Sequence, residues 1–244
     1  VKNLNDIIAA ADAVMVARGD LGIEIPYEDL PIVQRRIVKA CLRAGRPVIV
    51  ATHMLESMIE NPMPTRAEIT DVANAVYEQT DGIMLSGETT VGKYPLKCLE
   101  VFDKISQRIE RSGGAGFQKN AELSSPRQKL VRAAVVMADE LRADAIVVFT
   151  IRGNMARNTA WMRPAISPIF AVCENWGVAN SLALNWGVTP LVHPFDHSQP
   201  EKTIESTLAL MVQEGKLKKG NTAVIISTIS AGEQIVDVVE MRVV

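Results

Sequence analysis

The stretch DAVMVARGDLGIEIP, residues 12–26, decides how the rest of the chain is interpreted. Its apolar run at residues 13–17 predicts a buried β-strand. The five residues RGDLG, 18–22, follow directly and are typical of a ligand-binding loop, because glycine lets backbone N–H groups approach an anion and a carboxylate can bind a hard cation. A tight turn with a solvated Asp20 explains the same residues equally well, so both interpretations stand at this point.

The composition is that of an ordinary globular chain. Of its 244 residues, 48% are hydrophobic and 22% are charged, which suits one large domain or two small ones. A net charge of −2 gives no electrostatic reason to expect nucleic acid or a membrane surface as a partner. No apolar run reaches the roughly 18 residues of a membrane span. The most basic cluster, Lys216, Lys218 and Lys219, is interpreted as a solvated loop.

Cysteine usage indicates a reducing compartment. Cys41, Cys98 and Cys173 are far apart and form no CxxC pair, so we expect reduced thiols, no structural zinc and a cytoplasmic location. No signal peptide is visible, and the sequence begins at Val1 rather than Met, which hints that it belongs to a longer protein.

Residues 1–111 repeat a strand–helix unit three times. Apolar runs predict strands at 13–17, 47–51 and 81–85. Helical patterns follow at 27–44, 65–79 and 94–111. The second of these helices opens with a capping box formed by Thr65 and Glu68. Continuously apolar strands that each end in a polar cluster indicate a parallel sheet buried on both faces, with functional residues at its carboxyl edge.

A second α/β series follows a glycine-rich, polar linker at residues 113–125. Its pattern predicts a mostly parallel, doubly wound sheet of about five strands with helices on both faces. The predicted strands are 145–149, 167–172, 188–192, 223–227 and 234–243, and the predicted helices are 127–141, 153–161, 175–184 and 201–214.

Five motifs in this order and spacing resemble pyruvate kinase. They are VMVARGDLGIEIP (14–26), ATHMLESM (51–58), NPMPTRAE (61–68), DVANAV (71–76) and IMLSGETTVGKYP (83–95). The resemblance implies that residues 1–112 form the last three units of a (β/α)8 TIM barrel and that 126–244 form the family's C-terminal α/β domain. It covers only the C-terminal half of such proteins, so the first five barrel strands and the lid domain are expected to lie outside this sequence.

The resemblance implies transfer of a phosphoryl group from phosphoenolpyruvate to ADP, giving pyruvate and ATP, with Mg²⁺ or Mn²⁺ and K⁺ as cofactors. Asp20 matches a metal ligand, and the main-chain N–H groups of Gly19 and Asp20 match those that hold the substrate carboxylate. Thr52 matches a substrate contact, and Ser86 matches a serine on the proton-relay side. A second metal-binding glutamate, a phosphate-stabilising lysine and the nucleotide contacts are not matched here. No Walker loop replaces them, so we expect this chain alone to lack turnover.

The residues themselves partly support these assignments. Asp20, Thr52 and Ser86 each follow a predicted parallel strand, so their side chains are expected at one rim. For Thr52 and Ser86 taken alone, a helix N-cap hydroxyl is an alternative. His53 stands where the family often has glutamine; a small effect on substrate geometry and a merely structural or solvated side chain are both open for it.

A second candidate site follows the strand at 145–149. A hydroxyl, a glycine and two arginines at a helix start are suited to phosphate, and the residues concerned are Thr150, Arg152, Gly153, Asn154 and Arg157. In the family this loop, with a second one matching 228–234, binds sugar-phosphate activators. Ile151 and Arg152 replace the Ser/Thr pattern of fructose bisphosphate-binding members, which favours another sugar phosphate or AMP. An ordinary helix start with solvent-facing arginines is the alternative.

Two other functions stay open beside the catalytic one. The chain could be an effector-binding and assembly module without catalysis, or a scaffold without a ligand. The family is tetrameric, so the resemblance also implies a homo-oligomer.

Overall fold

A computed structural model describes residues 2–196, 198–231 and 234–244. The chain divides into two compact units, Val1–Glu122 and Leu123–Val244.

The first unit contains a three-stranded parallel sheet, as predicted. Its strands are β1 (Val14–Ala17), β2 (Val48–Ala51) and β3 (Gly82–Met84), in the order β1-β2-β3. The register pairs Ala17 with Ala51, and Ala51 with Met84. The carboxyl ends of the three strands therefore lie side by side.

One helix precedes β1, and further helices follow each strand of this unit. They are α1 (Leu4–Ala10), α2 (Arg18–Glu24), α3 (Leu30–Ala44), α4 (Arg66–Tyr77), α5 (Gly87–Thr90) and α6 (Pro95–Glu110), with 3₁₀ turns at Tyr27–Asp29, Glu56–Ile59 and Phe117–Asn120. The capping box at the start of α4 is confirmed: the Glu68 N–H donates to Thr65 Oγ1 at 3.3 Å, and the Thr65 N–H donates to Glu68 Oε2 at 2.7 Å.

The core of the first unit lies on one face of its sheet. Val16, Val48 and Val50 are buried there together with residues of α3, α4 and α6. Met15, on the other face, is 53% exposed. The prediction that all three strands are buried on both faces is therefore wrong for the described structure, because no described helix covers the side chain of Met15.

The segment predicted as a linker makes contacts within the first unit. The Ala115 N–H donates to the Tyr77 carbonyl oxygen at 2.8 Å, and Phe117 packs against the core. The predicted division at 113–125 stays a prediction.

The second unit is a five-stranded, mostly parallel sheet, as predicted, and the structure gives its strand order as β6-β5-β4-β7-β8. Strands β4 to β7 are parallel, and β8 pairs antiparallel with β7. The strands are β4 (Ala145–Phe149), β5 (Ile169–Cys173), β6 (Val188–Val192), β7 (Thr222–Ala231) and β8 (Gln234–Val243), and the helices are α7 (Pro126–Leu141), α8 (Asn154–Trp161), α9 (Trp176–Leu182) and α10 (Pro200–Gln213).

The segment predicted as a second effector loop, 228–234, is strand rather than loop over most of its length, and its effector role stays a prediction. Residues Thr228–Ala231 continue β7, and Gln234 begins β8. Residues 232 and 233 lie outside the described residues. The β-branched side chains at 228 and 229 favour strand pairing over a loop, and Thr228 pairs with Asp237.

In the part of the chain that the structure describes, every helix is too short or too polar to cross a lipid bilayer.

Candidate functional site at the strand ends of the first unit

The segment after β1 enters a helix at once instead of forming the predicted loop. Ala17 is the N-cap of α2, and Arg18, Gly19 and Asp20 form its first turn. Asp20 is exposed, and among the described residues it forms no hydrogen bond or ion pair. A carboxylate in the first turn is favoured by the partial positive charge of a helix N-terminus. The acidic group predicted from the sequence is thus present at the strand end and open to solvent.

Gly19 and Thr52 meet across the ends of β1 and β2. The Gly19 N–H donates to Thr52 Oγ1 at 2.9 Å, and the Thr52 hydroxyl donates to the Ala51 carbonyl oxygen at 2.7 Å. A Cβ atom added at Gly19 would lie 3.5 Å from His53 Cε1, in ordinary contact. The N–H group expected to bind a substrate carboxylate therefore has the Thr52 hydroxyl as its acceptor in this structure.

Thr52 and His53 both have left-handed backbone conformations, with φ of 69° and 53°. This region is unfavourable for a β-branched residue, and such strain costs of order 1–3 kcal/mol per residue. Thr52 is not itself an N-cap residue, but its hydroxyl accepts the N–H of Gly19 in the first turn of α2, so it does for that helix what a capping hydroxyl would do. The His53 side chain is 59% exposed, with Nε2 4.0 Å from Glu56 Oε1.

Arg18 is a buried cation that the sequence analysis did not single out. Only 8% of it is exposed. Its Nε lies 3.2 Å from the Ala51 carbonyl oxygen and 3.1 Å from the Thr52 carbonyl oxygen. Its Nη1 lies 2.6 Å from both carboxylate oxygens of Asp71 on α4. The sequence does show that Arg18 is a charged residue at the end of an apolar strand. It does not show which groups Arg18 contacts, because those groups are far away in sequence.

Glu88 connects the ends of β2 and β3. It is 2% exposed, and its two carboxylate oxygens accept the Leu55 N–H at 2.9 Å and the Ser86 N–H at 2.7 Å. Ser86 precedes α5, but its side chain makes no capping hydrogen bond. Glu88 was not among the predicted site residues, although a carboxylate beside a predicted active-site serine was a signal for it.

The strand ends do not form a complete metal site. Within residues 2–196, 198–231 and 234–244, no group of three or more His, Cys, Asp or Glu side chains could hold a metal ion. Asp20 supplies one carboxylate, and a divalent cation that prefers six or more oxygen ligands needs further ones. The residues present thus do not fit a closed Mg²⁺ site.

The predicted effector residues lie at the topological switch point of the second sheet. β5 lies on one side of β4, and β7 lies on the other. Ligands of open α/β sheets bind outside the carboxyl ends of the strands at such a point. Thr150 directly follows β4 there, and Gly153 is the N-cap of α8 with φ of 83°. This N-cap residue has no side chain that could satisfy the first N–H groups of the helix.

Arg157 folds back over this helix start. Its Nη1 lies 3.1 Å from the Arg152 carbonyl oxygen and 3.3 Å from Asn154 Oδ1. Its Nη2 lies 3.0 Å from Ser181 Oγ on α9. The structure therefore brings together Arg152, Gly153, Asn154 and Arg157, with the Arg152 side chain exposed.

The first unit gathers polar groups at the carboxyl ends of parallel strands, and the second unit is a mostly parallel α/β sheet. These two features define a class of α/β protein that carries enzyme sites at strand ends. Two family profiles match the sequence: "Pyruvate kinase, barrel domain" over residues 1–99 and "Pyruvate kinase, alpha/beta domain" over residues 128–240. The chain belongs to the pyruvate kinase family.

Individual relatives agree with this assignment. The chain is 39% identical to the chloroplastic pyruvate kinase isozyme A of Nicotiana tabacum, over 98% of this chain and 41% of that protein. It is 37% identical to the pyruvate kinase of Clostridium acetobutylicum, over 92% of this chain and 48% of that protein. A crystal structure of a pyruvate kinase from Cryptosporidium parvum superposes with a TM-score of 0.88 at 34% identity, covering 97% of this chain and 48% of the other. The chain thus spans less than half the length of each of these relatives.

Proposed function

We propose that the strand ends of the first unit bind phosphoenolpyruvate during phosphoryl transfer to ADP. The observation that carries this proposal is the 2.9 Å hydrogen bond from the Gly19 N–H to Thr52 Oγ1. It joins Gly19, whose N–H group the family resemblance assigns to the substrate carboxylate, to Thr52, to which the resemblance assigns a contact with the substrate. On binding, the carboxylate accepts the Gly19 N–H in place of the hydroxyl oxygen, and the Thr52 hydroxyl turns to donate to it as well. Charge-assisted hydrogen bonds of this kind are stronger than the neutral one they replace.

The roles of Asp20 and Ser86 belong to the same proposal. Asp20 contributes one carboxylate to a divalent cation in the working enzyme, and K⁺ is a further cofactor of the family's reaction. Ser86 lies on the side from which the enolate of pyruvate is protonated. Its backbone N–H is held by the buried Glu88 carboxylate, which keeps the serine beside the end of β2.

Calorimetric titration of phosphoenolpyruvate with Mg²⁺ into the 244-residue chain tests the binding. We expect saturable heat with the wild type and a reduction of about tenfold in affinity for Thr52→Val, which removes one hydrogen bond to a charged group. Thr70→Val is the matched control, because this exposed hydroxyl donates only to the Arg66 carbonyl oxygen on α4. Equal affinities of wild type and Thr52→Val would refute the assignment of Thr52.

We further propose that the isolated chain has no measurable turnover, since Asp20 alone cannot hold a catalytic cation. An assay that couples pyruvate formation to lactate dehydrogenase is expected to stay at the background rate. A sustained, protein-dependent rate would overturn this part of the proposal.

A second candidate function is recognition of a phosphorylated effector at the start of α8. The position of Thr150 and Gly153 at the switch point of the sheet favours it. Titration with fructose 1,6-bisphosphate, a sugar monophosphate and AMP should give heat with at least one of the three, and Arg152→Ala should weaken the binding of that compound. Absence of heat with all three compounds argues against an effector site. Assembly as a homo-oligomer is part of this proposal, and light scattering on the purified chain measures it.

A further inference from the structure

The contacts of Arg18 converge on one short piece of backbone. Its Nε and Nη2 both donate to the Thr52 carbonyl oxygen, and Nε is shared with the Ala51 carbonyl oxygen. Nη2 also contacts Met54 Sδ at 2.7 Å. A buried guanidinium must satisfy its donors within the protein. Three of its four partners here belong to residues 51–54, where the chain leaves β2.

Asp71 sets the orientation of this guanidinium. Both of its carboxylate oxygens lie 2.6 Å from Nη1, and its side chain is 34% exposed. With Nη1 held by α4, the planar guanidinium has its Nε edge directed at the end of β2. The ion pair therefore connects helix α4 to the backbone of Thr52.

Thr52 is held from two sides by adjacent residues. The Arg18 side chain fixes its carbonyl oxygen, and the Gly19 N–H donates to its hydroxyl. The carbonyl oxygen belongs to the peptide group that joins Thr52 to His53, and both residues have positive φ. Such a conformation persists only where surrounding contacts over-determine it.

We propose that Arg18 and Asp71 form a positioning pair that holds Thr52 in its left-handed conformation, with its hydroxyl directed at the Gly19 N–H. The pair does not touch the substrate. This inference rests on the proposed function in one respect only, namely that phosphoenolpyruvate is the ligand that Thr52 contacts. The conformation itself can be measured without any ligand.

Nuclear magnetic resonance on the isotope-labelled 244-residue chain tests the pair with Asp71→Asn. The neutral amide keeps the size of the side chain but removes its charge and one acceptor oxygen. We expect the Thr52 carbon shifts to leave values typical of positive φ, and the Gly19 amide to exchange with solvent about tenfold faster, as for the loss of one hydrogen bond. Arg35→Gln is the matched control, because it breaks the ion pair of Arg35 with the buried Glu78 in the same unit. The control should change neither signal.

The outcomes separate the alternatives. Wild-type Thr52 shifts and Gly19 exchange in a folded Asp71→Asn chain would show that the pair does not position Thr52. If that variant does not fold, Arg18→Lys replaces it: lysine keeps the charge but cannot serve Asp71 and the two carbonyls together. Unfolding of both variants would also overturn the proposal, since the pair would then support the whole unit. If wild-type chain fails to bind phosphoenolpyruvate, the proposed function is wrong, while the Thr52 signals still decide the positioning role.

Discussion

Replacing Glu88 with alanine should destabilise the first unit strongly. The 2% exposed carboxylate accepts two backbone N–H groups, from Leu55 and Ser86, and the substitution leaves both without their acceptor. An unsatisfied buried donor costs about 1–3 kcal/mol, so two donors give a loss of about 2–6 kcal/mol. Glu88→Gln keeps one acceptor oxygen for one backbone N–H but directs an amide N–H at the other. Its loss in free energy of unfolding should therefore be about half that of Glu88→Ala.

The assay is urea unfolding followed by two probes. All three tryptophans, Trp161, Trp176 and Trp186, belong to the second unit, so their fluorescence reports that unit. Far-UV circular dichroism reports both units. We expect Glu88→Ala to shift the circular dichroism transition of the first unit and to leave the tryptophan transition in place.

Glu100→Gln is the control for this experiment, because it removes an exposed carboxylate that pairs with Lys97 on the same helix. Exposed pairs of this kind contribute about 0–1 kcal/mol. A Glu88→Ala chain no less stable than Glu100→Gln would refute the reasoning that Glu88 holds the loops after β2 and β3 together.

Three other substitutions test local features. Burial acts to raise the pKa of Glu68, but hydrogen bonds from Ser57 and Thr65 outweigh it and lower the pKa. The stabilisation that the Glu68 carboxylate gives the folded chain is therefore complete above its unfolded-state pKa and is lost as pH falls through its folded-state pKa. The midpoint of thermal unfolding between pH 3 and 7 should be less pH-dependent in Glu68→Gln than in the wild type. The hydrogen bond from Arg127, with a further one from Thr228, lowers the pKa of Asp237. The wild-type second unit should therefore lose stability as pH falls through this pKa, and Asp237→Asn should lose less stability over the same acidic range, as followed by tryptophan fluorescence. An acid dependence equal to that of the wild type would contradict this. Gly153→Ala places an alanine at φ of 83°, with its Cβ only 3.1 Å from Arg157 Nη1 and 3.2 Å from Leu182 Cδ2. The free energy of unfolding of the second unit, measured in urea, should fall by about 1–3 kcal/mol. An unchanged free energy of unfolding would count against this strain.

Local sequence patterns predicted the features that depend on neighbouring residues. The capping box of Thr65 and Glu68 needs only a spacing of three, and it forms as expected. Strand β6, Val188–Val192, has the predicted bounds, with Gly187 in a left-handed turn conformation before it and His193 after it. The placement of Asp20, Thr52 and Ser86 after three neighbouring strands follows from the parallel order of the sheet.

Features that depend on distant partners were not predictable. The stretch after β1 contains two glycines, which disfavour a helix, yet α2 forms there, with Arg18 bonded to residues 33 to 53 positions away. The left-handed conformation of Thr52 depends on those same contacts, and no local propensity favours it in a β-branched residue. Ser86 is only two residues from Glu88, but the other partner of the Glu88 carboxylate, Leu55, lies 33 residues away, and that contact could not be predicted.

The central claim is that the ends of β1 and β2 together hold the carboxylate of phosphoenolpyruvate. Amide resonances of the labelled chain, followed while phosphoenolpyruvate and Mg²⁺ are added, test it most directly. We predict that the Gly19 and Thr52 amides shift together along one saturable curve, and that inorganic phosphate, which lacks a carboxylate, does not reproduce the shifts. Shifts confined to other residues, or identical shifts with inorganic phosphate, would contradict the claim.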